Sequence, residues 1–241
     1  MVTKIRHAFI VTSAINSKFG VYTPEQRLEQ TIGTVTSIKS KLPNAKIIIM
    51  ECCGTPIKPE QEAALRDVSD VFIDCSNDPD VKELYDNDNW DVVKNGTEIM
   101  CFGRILAVLQ NESLLEDVDR VHKMSGRYTL NNDFDVDFYD REDIQNRIVI
   151  GPKVQSQFPP GVTQQDWQYM ARLWSWPQYM TNDIVEVYNK SFLFFAERLA
   201  NGGYIDIEHV LAKFLPQEHV TEILKTGVEG NIAPNGAPIV N

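Results

Sequence analysis

The sequence has no stretch of about 18 consecutive apolar residues, which a membrane-spanning helix would need. The apolar run from Ala8 to Ile15 lacks the length and the small-residue cleavage site of a signal peptide, so it predicts a first strand instead. We therefore expect a cytoplasmic protein without a transmembrane segment. With 241 residues, 43% of them hydrophobic, the chain is long enough for one substantial core.

Positive charge is scarce, because 23 Lys and Arg residues stand against 34 Asp and Glu residues, for a formal net charge of −11. Non-specific binding to nucleic acid needs a basic surface that neutralises phosphates, so we expect no nucleic-acid partner. In such an acidic chain, a local cluster of cations indicates a candidate binding site, and one is present near residue 125.

Cysteines with the spacing of metal ligands are also lacking. The four cysteines (Cys52, Cys53, Cys75 and Cys101) form no C-x-x-C pair and no Cys/His pattern, which argues against a structural zinc site. Most of them lie in apolar segments, so we expect buried, reduced thiols.

The order of the segments predicts the fold class. Apolar runs alternate with amphipathic segments over residues 1–124, which predicts an α/β fold with a mostly parallel central sheet flanked by helices. Strands are expected at residues 7–15, 45–53, 70–75, 120–124 and 144–152. Residues 76–94 predict a solvated loop, 166–178 an irregular aromatic segment, and 227–241 an extended surface tail. Helices near 183–200 and 204–214 predict a helical C-terminal elaboration.

Polar residues at strand and helix ends are the first candidates for a site. Thr12 and Ser13 end the first predicted strand, at the edge where open α/β sheets bind ligands, although their hydroxyls could simply cap a turn. Arg27 follows in the next helix and either reaches the same ligand or is solvated. Lys94 directly precedes a predicted helix start capped by Asn95. A cation beside free backbone N–H groups suits a phosphate, and an unspecialised loop lysine is the alternative.

The densest cluster of chemically useful residues is the run Lys123-Met124-Ser125-Gly126-Arg127-Tyr128 at the end of the predicted fourth strand. Its glycine would let a ligand approach the backbone closely, its arginine can bind phosphate oxygens in a fork, and its tyrosine can stack or donate. We interpret it as a binding site for a phosphate-bearing substrate, with a purely structural strand end as the alternative.

Two acidic segments follow. Asp133, Asp135 and Asp137 alternate, so on an extended chain they would share one face and could hold Mg²⁺ or Mn²⁺, with an acidic surface turn as the alternative. Asp206, Glu208 and His209 come directly after a double glycine. They are candidate general bases or metal ligands, and the alternative is an ordinary helix start, where acids are favoured by the dipole.

Several of these segments together resemble nucleotide-diphospho-sugar transferases of the GT-A type, including bacterial and viral glycosyltransferase-like proteins of lipopolysaccharide and surface-glycan synthesis. They are T-S-A-I with R-L-E-Q-T-I-G-T-V-T-S-I-K after it, K-N-G-T-E, K-M-S-G-R-Y-T-L, and G-G-Y-I-D-I-E-H with G-V-E-G-N-I-A-P-N-G. The resemblance implies one GT-A-like domain over residues 1–241. Residues 1–140 would form a nucleotide-sugar-binding half, and residues 141–241 a helix-rich acceptor half.

The implied activity is transfer of a sugar from a nucleotide-sugar donor to a glycan or lipopolysaccharide-type acceptor. By the same resemblance, Thr12, Ser13 and Arg27 would lie near the nucleoside and Lys94 near the diphosphate. Asp206 or Glu208 would deprotonate the acceptor hydroxyl.

The run K-x-S-G-R-Y occupies the position where typical GT-A enzymes carry an Asp-x-Asp metal motif. This departure leaves two expectations: a metal ion at Asp133 and Asp135, or metal-independent catalysis in which Lys123 and Arg127 supply the positive charge. Two other functions stay open. A nucleotidyltransferase would need a Gly-rich basic loop after the first strand, and a nucleotide- or glycan-binding module would keep the fold without the chemistry.

Overall fold

A seven-stranded sheet runs through the centre of the protein, whose computed structural model describes residues 4–232 and 235–240. The strands are β1 (His7–Ser13), β2 (Lys46–Glu51), β3 (Val71–Asp74), β4 (Arg120–Ser125), β5 (Tyr128–Leu130), β6 (Ile148–Ile150), β7 (Lys153–Gln155), β8 (Trp167–Tyr169), β9 (Leu173–Pro177), β10 (Val220–Glu222), β11 (Val228–Asn231) and β12 (Pro238–Val240). The helices are α1 (Pro24–Lys41), α2 (Pro59–Val68), α3 (Pro79–Tyr85), α4 (Trp90–Asn111), α5 (Val136–Asp140), α6 (Glu142–Gln145), α7 (Pro160–Thr163), α8 (Thr181–Ala200) and α9 (Ile207–Phe214).

The predicted α/β class and mostly parallel sheet are confirmed. The strand order is β10-β6-β9-β4-β1-β2-β3, and β4, β1, β2 and β3 run parallel to their neighbours in that group. Strand β9 is antiparallel to both β4 and β6. It belongs to the aromatic segment that we expected to be irregular. Trp174 and Trp176 are buried in the sheet core, which explains why the segment is rich in aromatic residues.

The core lies on both faces of the sheet, because the central strands are buried on both sides. Along β1, Phe9 and Val11 pack in the cluster beneath α1, whereas Ala8 and Ile10 pack in the cluster that includes α4, α8 and α9. The predicted capping box at the start of α1 is present. All four cysteines are free thiols, and three are buried. Within the described ranges, no helix has the length and apolarity to cross a membrane.

The start of α4 differs from the prediction. Asn89, not Asn95, caps the helix, since its side chain accepts a hydrogen bond from the N–H of Asp91 at 2.9 Å. Lys94 therefore lies within the helix, not beside its free N–H groups. Asn95 is buried and donates to the Tyr204 hydroxyl at 2.5 Å, so it joins α4 to the segment that leads into α9.

Three other segments also correct the sequence-based expectations. The predicted loop 76–94 contains α3 and the start of α4, and the predicted strand 144–152 shortens to β6 behind helix α6. The acidic run 132–137 is not extended. Asp135 caps α5 by accepting hydrogen bonds from the N–H groups of Asp137 and Phe138, which turns the chain into a helix.

The chain after residue 227 forms a small second sheet, in which β11 pairs with β5 and β12 pairs with β11. Gly227 makes this possible, because it has a φ of +76° and a Cβ there would lie 2.2 Å from the backbone nitrogen of Phe134. The predicted surface tail is thus partly a sheet that covers β5. Its residues Ala233, Pro234 and Asn241 lie outside the described residues.

Candidate functional site

Two adjoining cavities lie at the carboxyl edge of β1, β2 and β4, and we call them together the cleft. The inner cavity, of about 80 Å³, lies between the β1–α1 loop, the end of β2 and α4. The outer cavity, of about 280 Å³, lies between the end of β4, the segment before β9 and the start of α9. The wall that the two cavities share consists of Trp90, Lys94, Glu98 and Arg127.

Most of the residues predicted from the sequence line this cleft, although they are far apart along the chain. Of the predicted set, four do not: His209 is fully buried, Asp133 and Asp135 line a separate cavity, and Asp137 lines neither cavity of the cleft. Those that line the cleft are Thr12, Ser13, Arg27, Lys94, Lys123, Ser125, Gly126, Arg127, Tyr128, Asp206 and Glu208.

A buried carboxylate holds the floor of the inner cavity together. Glu51 accepts hydrogen bonds from the Ser13 hydroxyl at 2.6 Å and from the N–H groups of Ile15 and Cys53, each at 3.1 Å. Burial raises the pKa of Glu51 to about 7. The Ser13 hydroxyl is therefore engaged in joining β1 to β2. We did not assign Glu51 a role from the sequence, although an acid at the end of an apolar strand was a usable signal.

Arg27 shapes the β1–α1 loop from within. Its guanidinium donates to the backbone oxygen of Phe19 at 2.7 Å, and more weakly to those of Tyr22 and Ala14. Burial, with a smaller effect of Arg127, lowers the pKa of Arg27. The carbonyl groups of this loop point at the arginine, so the loop is not the glycine-rich cradle of N–H groups that would hold a phosphate.

Gly126 allows β1, β4 and α1 to pack closely. Its N–H donates to the Thr12 carbonyl oxygen at 2.8 Å, and its own carbonyl oxygen accepts from the Thr31 hydroxyl at 3.0 Å. A Cβ at Gly126 would lie 2.9 Å from the Thr12 oxygen. The close neighbour of this glycine is therefore protein backbone, which gives the residue a packing role that we did not predict.

Lys123 forms a buried ion pair with Glu98 across the base of the outer cavity. The Nζ atom lies 2.6 Å from Oε1 of Glu98 and donates to the Ser125 hydroxyl at 3.1 Å. Burial opposes ionisation of Glu98, but the charge and hydrogen bond of Lys123, together with the charges of Lys94 and Arg127, outweigh burial and lower the pKa of Glu98. The charge of Lys123 is thus already compensated within the protein.

Other cations of the cleft have no direct ion pair in the described residues, although the charges of Lys94 and Arg127 also act on Glu98. In the described part of the chain, the ion pairs of cleft residues are Lys123–Glu98 and His209–Asp206. Lys94, Arg127 and Arg172 therefore have no carboxylate partner there, and neither has Arg27, which instead donates to carbonyl oxygens of its own loop. The Nε atom of Arg127 is buried and has no hydrogen-bond partner. Arg172, just before β9, was missed in the sequence because nothing local marks it, and pairing with β4 brings it to the cleft.

Aromatic side chains line the entrance to the inner cavity. The rings of Phe19 and Trp90 meet edge to face with centroids 5.5 Å apart, and Tyr85 lies beside them. The Tyr85 hydroxyl donates to the Asn16 carbonyl oxygen at 3.1 Å, which fixes the β1–α1 loop against the end of α3. Flat aromatic surfaces of this kind suit a ring-shaped ligand such as a nucleobase.

At the start of α9, two of the three predicted catalytic residues bind each other, and the third faces the outer cavity. Asp206 caps the helix and binds His209, whose Nδ1 lies 2.5 Å from the Asp206 carboxylate and whose Nε2 lies 2.8 Å from the Ser156 hydroxyl. Both ring nitrogens of His209 therefore have partners in the interior. Glu208 lines the outer cavity. Burial, together with the charge of Asp206, raises the pKa of Glu208, as suits a general base.

Asp133 and Asp135 lie outside the cleft and have other partners. Asp133 forms an exposed ion pair with Lys225 at 2.9 Å, and Asp135 is engaged as the cap of α5. They line a cavity with Phe138, Tyr139 and residues 223–226, and none of its lining residues belongs to the cleft. The structure therefore does not bring the Asp133-x-Asp135 pair to the phosphate-binding candidates.

Comparison with solved structures identifies the architecture. The chain aligns with core-mannan synthase A (CmsA/Ktr4) from Aspergillus fumigatus, solved in an Mn/GDP form, with a TM-score of 0.53. The alignment covers 95% of this chain and 75% of that one, at 11% sequence identity. The fold is GT-A-like. The neighbour is fungal, so the similarity supports the GT-A architecture without the expected bacterial or viral association.

Sequence comparisons add nothing to this, since no protein-family model matches the chain and no curated protein matches it significantly. The identity to the solved structure is too low to carry over any residue role. The similarity therefore establishes the fold, and the chemistry has to be argued from the residues of the cleft.

The Mn/GDP form of that neighbour raises the question of whether this cleft could hold a metal ion. In residues 4–232 and 235–240, no group of three or more His, Cys, Asp and Glu side chains has the arrangement of a metal site. Two of the cleft carboxylates, Glu98 and Asp206, are already paired with Lys123 and His209. The other two carboxylates of the outer cavity, Asp91 and Glu208, are too few to hold a metal ion by protein ligands alone.

Proposed function

We propose that the protein is a glycosyltransferase, which binds a nucleotide-sugar in the cleft and transfers the sugar to a hydroxyl group of a glycan or other acceptor. The observation that carries this proposal is the presence of Lys94 and Arg127, without carboxylate partners in the described residues, on the wall shared by both cavities. Two cations without a direct ion pair, in a chain of net charge −11, favour an anion between them, although Glu98 on the same wall offsets part of their charge. A diphosphate has the charge and the reach to contact both.

The two cavities would then divide the substrate between them. The nucleoside would occupy the inner cavity, where Phe19 and Trp90 offer aromatic surfaces. All the described residues that line the inner cavity precede residue 140, whereas residues 157–232 contribute to the outer one. This division supports a donor half in residues 1–140 and an acceptor half in residues 141–241, within one domain.

The chemistry follows from the positions of the charged groups. The acceptor hydroxyl oxygen would form a bond to C1 of the sugar while the bond from C1 to the diphosphate oxygen breaks. Glu208 would take the hydroxyl proton, and its raised pKa makes its ionised form a stronger base than a surface glutamate. Arg127 and Lys94 would neutralise the charge that grows on the departing nucleoside diphosphate.

Metal-independent transfer is part of this proposal. It is supported by the lack, among the described residues, of three or more side chains grouped as metal ligands, and by Arg127 and Lys94 on the wall shared by the two cavities. Lys123 contributes less than we expected from the sequence, because Glu98 already compensates its charge.

A thermal-shift panel of UDP-, GDP- and CMP-sugars, each with and without Mn²⁺, tests the proposal. We expect at least one nucleotide-sugar to raise the melting temperature without Mn²⁺, and Arg127→Gln to abolish the rise. Arg66→Gln is the matched control, because Arg66 is an exposed arginine in a surface pair with Glu62 outside the cleft. The absence of a shift with every donor would refute the proposal.

A nucleotide-binding module without catalysis is the second candidate. It is favoured by the commitment of Asp206 and His209 to an internal network, which leaves few groups for chemistry. Consumption of the bound nucleotide-sugar in the presence of glycan acceptors separates the two, since a module would bind the donor and leave it intact. A nucleotidyltransferase is less well supported, because the β1–α1 loop presents carbonyl groups to Arg27.

A further inference from the structure

Arg172 is a cation of the outer cavity that the proposed function does not use. Its carbonyl oxygen accepts a hydrogen bond from the N–H of Ser125 at 3.0 Å, which fixes its backbone against the end of β4. Its side chain is half-buried, lines the outer cavity and forms no ion pair with the acidic residues that the structure describes. A half-buried guanidinium with a fixed backbone and no carboxylate partner is arranged for an external anion.

The guanidinium group of Arg127 lies near the same tyrosine, Tyr128, as that of Arg172. The Tyr128 ring is almost fully buried, and the Cζ atoms of Arg127 and Arg172 lie 5.1 Å and 5.9 Å from its centroid. Burial alone would raise the pKa of Tyr128, yet the two arginines outweigh it and lower that pKa. Two like charges near one ring repel each other, and an anion bound beside them would offset that repulsion.

The position of this cluster distinguishes it from the proposed diphosphate site. Arg127 belongs to the wall shared by both cavities, whereas Tyr128 and Arg172 line the outer cavity alone. Three carboxylates of α4 and α9 line the outer cavity: Asp91, Glu98 and Glu208. Lys123 compensates Glu98, whereas Asp91 and Glu208, which have no ion pair in the described residues, would repel an anion from that side. An anion in the outer cavity would therefore settle beside the ends of β4 and β9.

We propose that Arg127, Tyr128 and Arg172 form a subsite for a phosphoryl group in the outer cavity, and that this group is carried by the acceptor. The assignment to the acceptor rests on the proposed function, because only then is the outer cavity the acceptor side. The donor's β-phosphate offers the same chemistry, so the test has to distinguish these two sources.

The experiment compares Arg172→Gln, Arg172→Lys and the surface control Arg66→Gln by isothermal titration calorimetry. Nucleoside diphosphates and monophosphates (UDP, UMP, GDP and GMP) probe the donor side. Inorganic phosphate, titrated into protein saturated with the tightest of these nucleotides, probes the outer cavity. We expect Arg172→Gln to weaken phosphate binding by about tenfold or more, as for the loss of a charge-assisted hydrogen bond, with nucleotide affinities unchanged. Arg172→Lys should retain part of the affinity, and Arg66→Gln all of it.

Each other outcome has a definite meaning. If Arg172→Gln weakens binding of the diphosphates but not of the monophosphates, the subsite stands and its phosphoryl group belongs to the donor. Unchanged affinities for phosphate and for all four nucleotides would overturn the subsite. If the wild-type protein binds phosphate but no nucleotide, and Arg172→Gln loses the phosphate, the proposed function fails while the subsite survives.

Discussion

Glu51 gives the sharpest test of how the cleft floor is held together. The carboxylate is 1% exposed and accepts hydrogen bonds from Ser13, Ile15 and Cys53. The structure shows no cation paired with it among the described residues, and Asp74 nearby raises its pKa further. Ionised Glu51 therefore keeps its hydrogen bonds but is poorly solvated, and the balance between these effects depends on pH.

The size of the effect follows from the pKa. Burial raises the pKa of Glu51 from 4.5 to about 7. Between those values the folded protein binds more protons than the unfolded chain, so stability falls as pH rises through this window. The difference corresponds to about 3 kcal/mol of unfolding free energy, present below pH 4.5 and lost above pH 7. Glutamine does not titrate, so Glu51→Gln should lack this slope.

Urea unfolding followed by circular dichroism at pH 4.5 and pH 8 measures the effect. The unfolding free energy of the wild type minus that of Glu51→Gln should fall by about 3 kcal/mol between the two pH values. Subtracting the variant removes the contribution of other titrating groups. Glu60→Gln, at an exposed position of α2, is the control and should give a flat difference. A flat or rising difference for Glu51→Gln would refute the reasoning.

Three further predictions concern packing and charge. Burial, aided by the neighbouring Arg120, lowers the pKa of His7 to about 4, so the unfolding free energy should fall as the pH drops from 6.5 to 4. The fall should be about 3 kcal/mol larger in the wild type than in His7→Gln. Urea unfolding measures it, and equal losses in the two proteins would contradict the prediction. Gly126→Ala should lower the unfolding free energy by about 1–3 kcal/mol, because the added Cβ would be too close to its neighbours. Gly33→Ala is the control and should be neutral or stabilising, since a Cβ there meets nothing within 4 Å. Equal melting temperatures of the two variants would refute the close-packing role of Gly126. Glu98→Gln should lower the unfolding free energy by about 3–5 kcal/mol, because it leaves Lys123 buried without its partner. Adding Lys123→Met to that variant should recover part of the loss. If it recovers none, the broken ion pair is not the cause of the loss.

The parts of the fold that could be predicted from sequence depend on local patterns. Continuous apolar runs gave the positions of β1, β2 and β4, and the Thr23-Pro24-x-Gln26 pattern gave the start of α1. The start of α4 could not be found in this way, because Asn89 and Asn95 are both acceptable caps. The contact of Asn95 with Tyr204, over a hundred residues later, requires Asn95 to lie inside the helix.

The sequence predicted many of the residues that line the cleft, but not the partners that they bind within the protein. The ends of parallel strands meet at one edge, so Thr12 and Arg127 could be expected together. Whether a cation is available to a ligand depends on the acid that faces it, and a sequence does not show that Glu98 pairs with Lys123. Arg172 is the converse case, because only the pairing of β9 with β4 brings it to the cleft.

The start of α9 is where an enzyme and a binding module would differ most. Asp206 and His209 stabilise each other and the Ser156 segment, so Asp206→Asn should weaken nucleotide binding and transfer together by loosening the cleft wall. Glu208 occupies the first turn of the helix, where the dipole favours a charged carboxylate, yet burial outweighs this and raises its pKa. Glu208→Gln removes the base without disturbing the network beneath it. Transfer should fall by at least about a hundredfold with nucleotide affinity retained, and unchanged transfer in this variant would show that the proton goes elsewhere.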